Sequence, residues 1–321
     1  MSHGGPLRTL LQRIEQAIAA APALEVEVRA DAAREARLLM AGVLDCSLAS
    51  LAQRLVADGM ASAPEPLPVA VVERLEGALF RRLRGEPLAY VLGSAAFREL
   101  ELQVDARVLI PRPETEVVVG EALRVTGHRP GGLAVDVGTG SGAIALSLAI
   151  EGAFDAVVAT DISADALEVA AANAVALASR CRCPVSFEPG ADLAPLMGRQ
   201  ARVIVSNPPY IAYHEAAALP PSVRNWEPPT ALFAAEDGMA RYWVLIDTAR
   251  NVLESDGWLV LELDARRSAQ TAVLAVAAKY QDVQVVQDLS GRDRVLVARW
   301  PGWARAQSPD EAFGTPVLAP S

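Results

Sequence analysis

The residues of this chain whose types and order point most directly to chemistry are Asn207-Pro208-Pro209-Tyr210, set immediately after Val203-Ile204-Val205-Ser206. Three consecutive β-branched residues predict a parallel strand buried on both faces. Neither proline has an N–H to donate, and Pro208 holds Asn207 extended, so the strand must stop in a stiff loop. That loop offers bare carbonyl oxygens and one side-chain amide just beyond a strand's carboxyl end, where open α/β sheets hold their ligands. Acceptors of this kind grip an amide or amino nitrogen. Taken alone, the same residues also describe a proline-rich turn leaving a strand, so the reading rests on what lies upstream.

Upstream, Leu133-Ala134-Val135-Asp136-Val137 runs into Gly138-Thr139-Gly140-Ser141-Gly142, and Ala143 to Ile150 then reads as a helix. Glycines at such a turn let a ligand approach the backbone without obstruction by a Cβ. The next apolar run, Ala156 to Thr160, ends at Asp161, and Ser163 is placed to cap an alanine-rich helix. A carboxylate at that strand end accepts hydrogen bonds from both hydroxyls of a ribose, although it also suits a helix start. The glycines by themselves do not choose NAD over another nucleoside.

The elements that must position these groups follow from periodicity and punctuation. Leu7, Leu10, Leu11, Ile14 and Ile18 recur at helical spacing, Pro22 interrupts them, and a second helix is predicted from about Val26 to Leu44. Asp45 or Ser47 caps a third through Val56, and a fourth runs from about Val69 to Arg84. Residues 1–84 thus form a small helical bundle with no catalytic cluster, suited to docking a partner or to serving as a lid. Residues 85–107, with alternating Leu100, Leu102 and Val104, predict a hairpin linking the two parts. Pro111-Arg112-Pro113 makes a rigid turn, and Thr115 or Glu114 opens the helix after it; Arg112 reads equally as a solvated loop charge. The segment from Tyr210 to about Ala235 reads as a substrate-covering loop stiffened at Glu227-Pro228. Glu236-Asp237-Gly238 begins a long helix to Leu253, Asp256-Gly257 turns the chain into a buried strand at Trp258–Leu263, and 283–288 with 294–298 form an antiparallel pair at the sheet edge. Residues 301–321 read as a disordered tail.

Composition narrows the class. A chain of 321 residues, 52% hydrophobic, has enough apolar content for one large or two modest cores. A formal net charge of −10 argues against direct, extended contact with nucleic-acid phosphates. Three cysteines, Cys46, Cys181 and Cys183, make no disulfide framework, and with three histidines, none near Cys181 and Cys183 in sequence, no closed metal site is expected. No signal peptide or membrane-spanning run stands out, so a soluble cytoplasmic protein is expected, with a monomer as the default.

Five segments together resemble one family. Gly85-Glu86-Pro87-Leu88-Ala89-Tyr90, Ile110-Pro111-Arg112-Pro113-Glu114-Thr115-Glu116, Asp136 to Gly142, Asn207-Pro208-Pro209-Tyr210 and Gly291-Arg292-Asp293-Arg294 are similar to the HemK/PrmC protein glutamine methyltransferases. The resemblance spans roughly residues 7–299. It implies a class I methyltransferase fold, a Rossmann-like seven-stranded sheet with an antiparallel edge strand at 108–300, preceded by the helical bundle. It implies S-adenosyl-L-methionine as cofactor, S-adenosyl-L-homocysteine as product, and peptide chain release factors as partners, methylated on the side-chain nitrogen of the glutamine in their Gly-Gly-Gln motif. Carried onto this chain, Gly138, Thr139, Gly140, Ser141 and Gly142 would line the cofactor, Asp161 with Ile162 beside it would hold the ribose, and Asn207 would touch cofactor and substrate alike. Asn207, Pro208, Pro209 and Tyr210 would hold the substrate amide, Tyr210 against its plane, with Phe97 a wall of the same pocket. Relatives place an acid and then a bulky apolar residue at the adenine, and Ala191-Asp192 is read as a departure from that order. Asn-Pro-Pro-Tyr is shared with amino-directed DNA methyltransferases, and a ribosomal-protein glutamine methyltransferase is the nearer rival. An NAD-dependent dehydrogenase fits only the glycine turn. A docking module that keeps the fold without turnover belongs to a different class again.

Overall fold

The computed structural model describes residues 6–61 and 65–303. Residues 1–5 and the expected tail beyond residue 303 lie outside the described residues. Helix α1 (Leu7–Ala19) buries Leu7, Leu10, Ile14 and Ile18, the apolar stripe its spacing predicts. The helix expected at 26–44 is instead broken at Asp31 into α2 (Val26–Ala30), which buries nothing, and α3 (Ala32–Val43), which buries Ala36, Leu39 and Met40. Ser47, not Asp45, caps α4 (Leu48–Met60), its hydroxyl accepting from the Ser50 N–H at 3.1 Å. Helix α5 (Val69–Leu83) completes the bundle, and its buried Arg82 is neutralised by Glu35 at 2.6 Å. Among the described residues no single helix is long and apolar enough to cross a membrane, and the pair α3 and α4 reaches such a length only across a 98° bend.

Pro87 starts a short helix α6 (Leu88–Leu92) that the alternation did not announce, ended by Gly93 at φ 77°. The expected hairpin follows as β1 (Ser94–Phe97) and β2 (Leu100–Gln103), paired antiparallel. Helix α7 (Pro113–Thr126) then leads into the main sheet, through β3 (Leu133–Val137), α8 (Ala143–Glu151), β4 (Ala156–Asp161), α9 (Ala164–Leu177), β5 (Val185–Pro189) and β6 (Ala201–Ser206). An irregular stretch holds β7 (Ile211–Ala212), α10 (Pro221–Arg224), α11 (Pro229–Leu232) and β8 (Phe233–Ala234). The chain closes with α12 (Ala240–Ala249), β9 (Leu253–Glu262), α13 (Ser268–Ala277), β10 (Gln281–Gln287) and β11 (Asp293–Trp300).

The seven strands lie in the order β10-β11-β9-β6-β3-β4-β5. All neighbours from β9 to β5 are parallel, whereas β11 runs antiparallel to both β9 and β10. The reversed strand is therefore one in from the edge, and β10 is the edge itself. The reason lies in β11: Val295, Leu296, Val297 and Ala298 are buried on alternating faces and need cover on both sides, while β10 has no buried residue. Ala134, Val203, Val205 and Val297 face a core under α7 and α8. Val135, Ile204, Leu261 and Leu296 face another under α12 and α13. Double-sided burial explains why these strands read as continuous apolar runs.

Two sequence expectations fail locally. The turn at Asp256-Gly257 lies inside β9, where Asp256 takes φ 64° and the pairing with β6 shifts from Ala201–Leu253 to Val203–Trp258. The bulge keeps both halves in the sheet. The helix expected from Glu236 begins only at Ala240, because Glu236, Asp237 and Gly238 all adopt positive φ. A Cβ on Gly238 would stand 2.2 Å from the Tyr210 carbonyl oxygen, so this turn packs directly on the loop after β6.

Candidate active site

Strands β3 and β6 are adjacent, with Val137 opposite Ser206, so the glycine turn and Asn207 leave the sheet side by side. The Ser206 hydroxyl donates to the Val137 carbonyl at 2.7 Å and ties the two strand ends together. From β3 the chain crosses to β4 on one side, while β6 lies on the other. This is the switch point at which a crevice opens in such sheets. A cleft opens here, enclosing about 1080 Å3 with its mouth.

The glycine turn is shaped for a ligand. The Gly138 and Thr139 N–H groups both donate to the Thr160 carbonyl, at 2.9 and 3.0 Å, which presses the turn against the end of β4. Gly138 has φ 74° and Gly140 φ 54°, and a Cβ on either would meet no atom within 4 Å, because that space is the cleft. Gly142 also has a positive φ, but a Cβ there would lie 3.3 Å from the Ala170 Cβ; it serves the packing of α8 on α9 and does not line the cleft. The Thr139 hydroxyl donates to Asp136 Oδ2 at 2.6 Å, and the Ala145 N–H donates to the same oxygen at 3.0 Å. Asp136 is fully buried, its Oδ1 has no partner, and burial pushes its carboxyl up to about 7.

Asp161 accepts from the Gly140 N–H on one oxygen and from the Ser163 N–H on the other, each at 2.9 Å. Ser163 itself caps α9. The Asp161 carboxylate is thus held by backbone and still has lone pairs for two hydroxyls. Beside it Ile162 is 65% exposed at the cleft, an apolar surface suited to a flat base or sugar. On the far side Asp192 lines the cleft, held by Arg241 at 2.9 Å, while Leu193 is buried. Ala191 and Asp192 thus both line the cleft, whereas Leu193 belongs to the core beneath α12. These features fit a nucleoside-bearing ligand with free ribose hydroxyls.

Asn207, Pro208 and Pro209 line the opposite part of the same cleft. Asn207 Nδ2 donates to Thr115 Oγ1 at 3.2 Å, and the Thr115 hydroxyl donates to Glu262 Oε2 at 2.5 Å. Thr115 thus ties α7 to the sheet; it does not open the helix, which starts at Pro113 after Arg112 with no side-chain cap. Two expected wall residues lie elsewhere. Phe97 is 1% exposed in the core with Val118 and Ile144, because the tight hairpin turn drives its ring inward. Tyr210 packs its ring on the core beneath α12 and turns its hydroxyl to Glu262 Oε1 at 3.4 Å; neither lines the cleft.

Arg112 is not a solvated charge. It pairs at 2.5 Å with Glu227, whose side chain is 1% exposed and also accepts from the Ile110 N–H at 3.3 Å. Burial raises the Glu227 carboxyl while the Arg112 guanidinium lowers it. The pair anchors the segment whose Pro228, Thr230 and Ala231 line the cleft. That segment also reaches the helical bundle, where Glu25 accepts from the Ser222 N–H at 2.9 Å. Periodicity gives no sign of these partners. Glu262 had one sign: a lone acid closing the apolar run Trp258-Leu259-Val260-Leu261, at a strand's carboxyl end.

Comparison with known proteins agrees with this geometry. Residues 10–93 match the family model described as PrmC N-terminal domain, and residues 120–219 match Methyltransferase small domain. A Release factor glutamine methyltransferase from Xylella fastidiosa (strain 9a5c) is 38% identical over 269 residues, 84% of this chain and 94% of the relative. One from Cereibacter sphaeroides is 38% identical over 283 residues, 88% of this chain and 96% of the relative. Among solved structures, the hMettl16 catalytic domain in complex with MAT2A 3'UTR hairpin 1 has a TM-score of 0.50 at 16% identity, covering 75% of this chain and 83% of that one, a likeness of fold alone. Identity near two fifths along almost the whole length of its relatives places the chain in the release factor glutamine methyltransferase family.

Proposed function

We propose that the protein transfers a methyl group from S-adenosyl-L-methionine to the side-chain nitrogen (N5) of the Gly-Gly-Gln glutamine of a peptide chain release factor. The observation that carries this reading is that the open glycine turn at 138–140 and the acceptor loop at 207–209 line one cleft. The proposed holders of the cofactor are Gly138, Thr139, Gly140, Ser141, Asp161 and Ile162, with Asp192 toward the base. When bound, the cofactor supplies a methyl already activated by its sulfonium.

A carboxamide nitrogen is a poor nucleophile because its lone pair is delocalised into the carbonyl. The protein's task is therefore orientation. In our reading Asn207 Oδ1 and the Pro208 carbonyl each accept one N–H of the substrate amide, turning the nitrogen lone pair toward the methyl. The N–C bond forms as the C–S bond breaks, and one N–H proton leaves to water. Positioning of this kind removes up to roughly 7–11 kcal/mol of barrier in ideal cases. We assign the helical bundle the docking of the release factor, and take the protein as a cytoplasmic monomer.

The test is incubation with S-adenosyl-L-methionine and unmodified release factor, followed by peptide mass spectrometry. A methyl on the Gly-Gly-Gln glutamine, lost with Asn207→Ala while cofactor affinity stays, is the expected result. Wild-type turnover by Asn207→Ala refutes the assigned role. Cofactor binding without methylation of any release factor redirects the search to ribosomal protein and then to DNA.

A further inference from the structure

We infer that Thr115 and Glu262 are positioning residues that set which end of the Asn207 carboxamide faces the substrate. The inference rests on the reading above and extends it to two residues outside the Asn-Pro-Pro-Tyr loop. Thr115 lies in the first turn of α7 and is 5% exposed; Glu262 ends β9 and is 1% exposed. Between them and Asn207 runs a chain of two hydrogen bonds, 2.5 Å from Thr115 to Glu262 and 3.2 Å from Asn207 to Thr115.

The direction of this chain is dictated by proton count. An ionised carboxylate only accepts, so the single hydroxyl proton of Thr115 goes to Glu262. Thr115 then has only lone pairs to offer Asn207, and the amide must turn its NH2 toward it. That leaves Oδ1 as the end free for the cleft, the end a substrate N–H requires. A reversed amide would set N–H against N–H.

The polarity depends on the charge of Glu262, and the groups around it act in both directions. Arg294 on β11 favours the charged form, Glu114 on α7 opposes it, and the hydroxyls of Tyr210 and of Tyr242 on α12 face the same space. Burial raises the Glu262 carboxyl to about 7. Once protonated, Glu262 becomes a donor to Thr115, which is then free to turn its own proton to Asn207 and reverse the amide. Turnover should therefore rise with pH through the neutral range.

The test measures kcat and KM across pH 6–9 on the full-length protein with release factor and S-adenosyl-L-methionine. Thr115→Val keeps the shape but strands the Asn207 NH2 against a methyl, so the side chain swings toward water, and kcat should fall on the order of tenfold. Cofactor affinity and KM should hold, Thr115→Ser should restore turnover, and the residual activity of Thr115→Val should lose the ascending limb near neutral pH. Thr115→Val with wild-type kcat, Thr115→Ser as impaired as Thr115→Val, or an unchanged limb in Thr115→Val each overturns the inference. Should Thr115→Val fail to fold, the nearly isosteric Glu262→Gln decides: its carboxamide does not titrate, so the limb must vanish, and its persistence refutes the relay. A wild-type protein that leaves the glutamine unmodified refutes the underlying reading instead, which separates the two failures.

Discussion

Arg112→Met should unfold far more easily than the wild type, and the cause can be worked through. The Glu227 carboxylate is almost wholly enclosed, its side chain 1% exposed, and its partners are the Arg112 guanidinium and the Ile110 N–H. Methionine keeps the stem volume of arginine but leaves a buried negative charge with one neutral donor. Breaking a buried pair from one side costs about 3–5 kcal/mol, and because Arg112 is itself 32% exposed the lower end of that range applies. The cost should depend on pH. Glu227 already lies above its ordinary value, and without Arg112 its carboxyl rises further. The folded state then binds more protons than the unfolded one, so stability falls as pH rises from the ordinary carboxylate range toward the raised value. Urea unfolding at about pH 4.5, within the ordinary carboxylate range, and at pH 8 reads this directly: the deficit of Arg112→Met should be larger at pH 8. Arg112→Met with Glu227→Gln removes the charge together with its partner and should recover more than half of the loss. A single variant within about 0.5 kcal/mol of wild type, the range of an ordinary surface substitution, would refute the reasoning, as would a double variant no better than the single. The same variant should weaken cofactor binding, since Pro228, Thr230 and Ala231 are held at the cleft by this pair.

Further outcomes follow from the same geometry. Gly140→Ala should weaken S-adenosyl-L-methionine binding at least tenfold by calorimetry while lowering stability by only about 1–2 kcal/mol, the cost of a Cβ in the left-handed region; unchanged affinity would mean the space beside Gly140 is not the cofactor's. Asp136, fully buried with one unpartnered oxygen and a carboxyl raised to about 7, takes up a proton on folding. Its contribution should decline as pH rises from about 4 to about 7, and Asp136→Asn should flatten the pH dependence of unfolding over that interval.

Much of the molecule is determined by the sequence itself. Val203-Ile204-Val205 specifies a strand because three β-branched residues in a row need cover on both faces, and Pro208 ends it because it has no N–H for the ladder. Gly138 and Gly140 are legible as a turn that opens on the cleft because only glycine reaches positive φ freely with open space beside it. The position of Asp161 at a strand end, where it lines the cleft, is legible in the sequence alone. These are local properties, legible within a few residues. Other features exist only in the folded chain. Glu227 meets Arg112 across 115 positions, and Glu262 meets Thr115 across 147. No periodicity carries such pairings, because each depends on burial that the sheet and its helices create together. The sequence suggests Phe97 as a pocket wall, yet β1 and β2 turn it into the core, and it suggests Gly142 as a ligand glycine, yet α9 lies where its Cβ would be. Sequence determines which chemistry is available at each strand end. Tertiary structure decides which of those groups share a cleft, and in which direction their hydrogen bonds run, because only folding removes the water that would otherwise satisfy each of them separately.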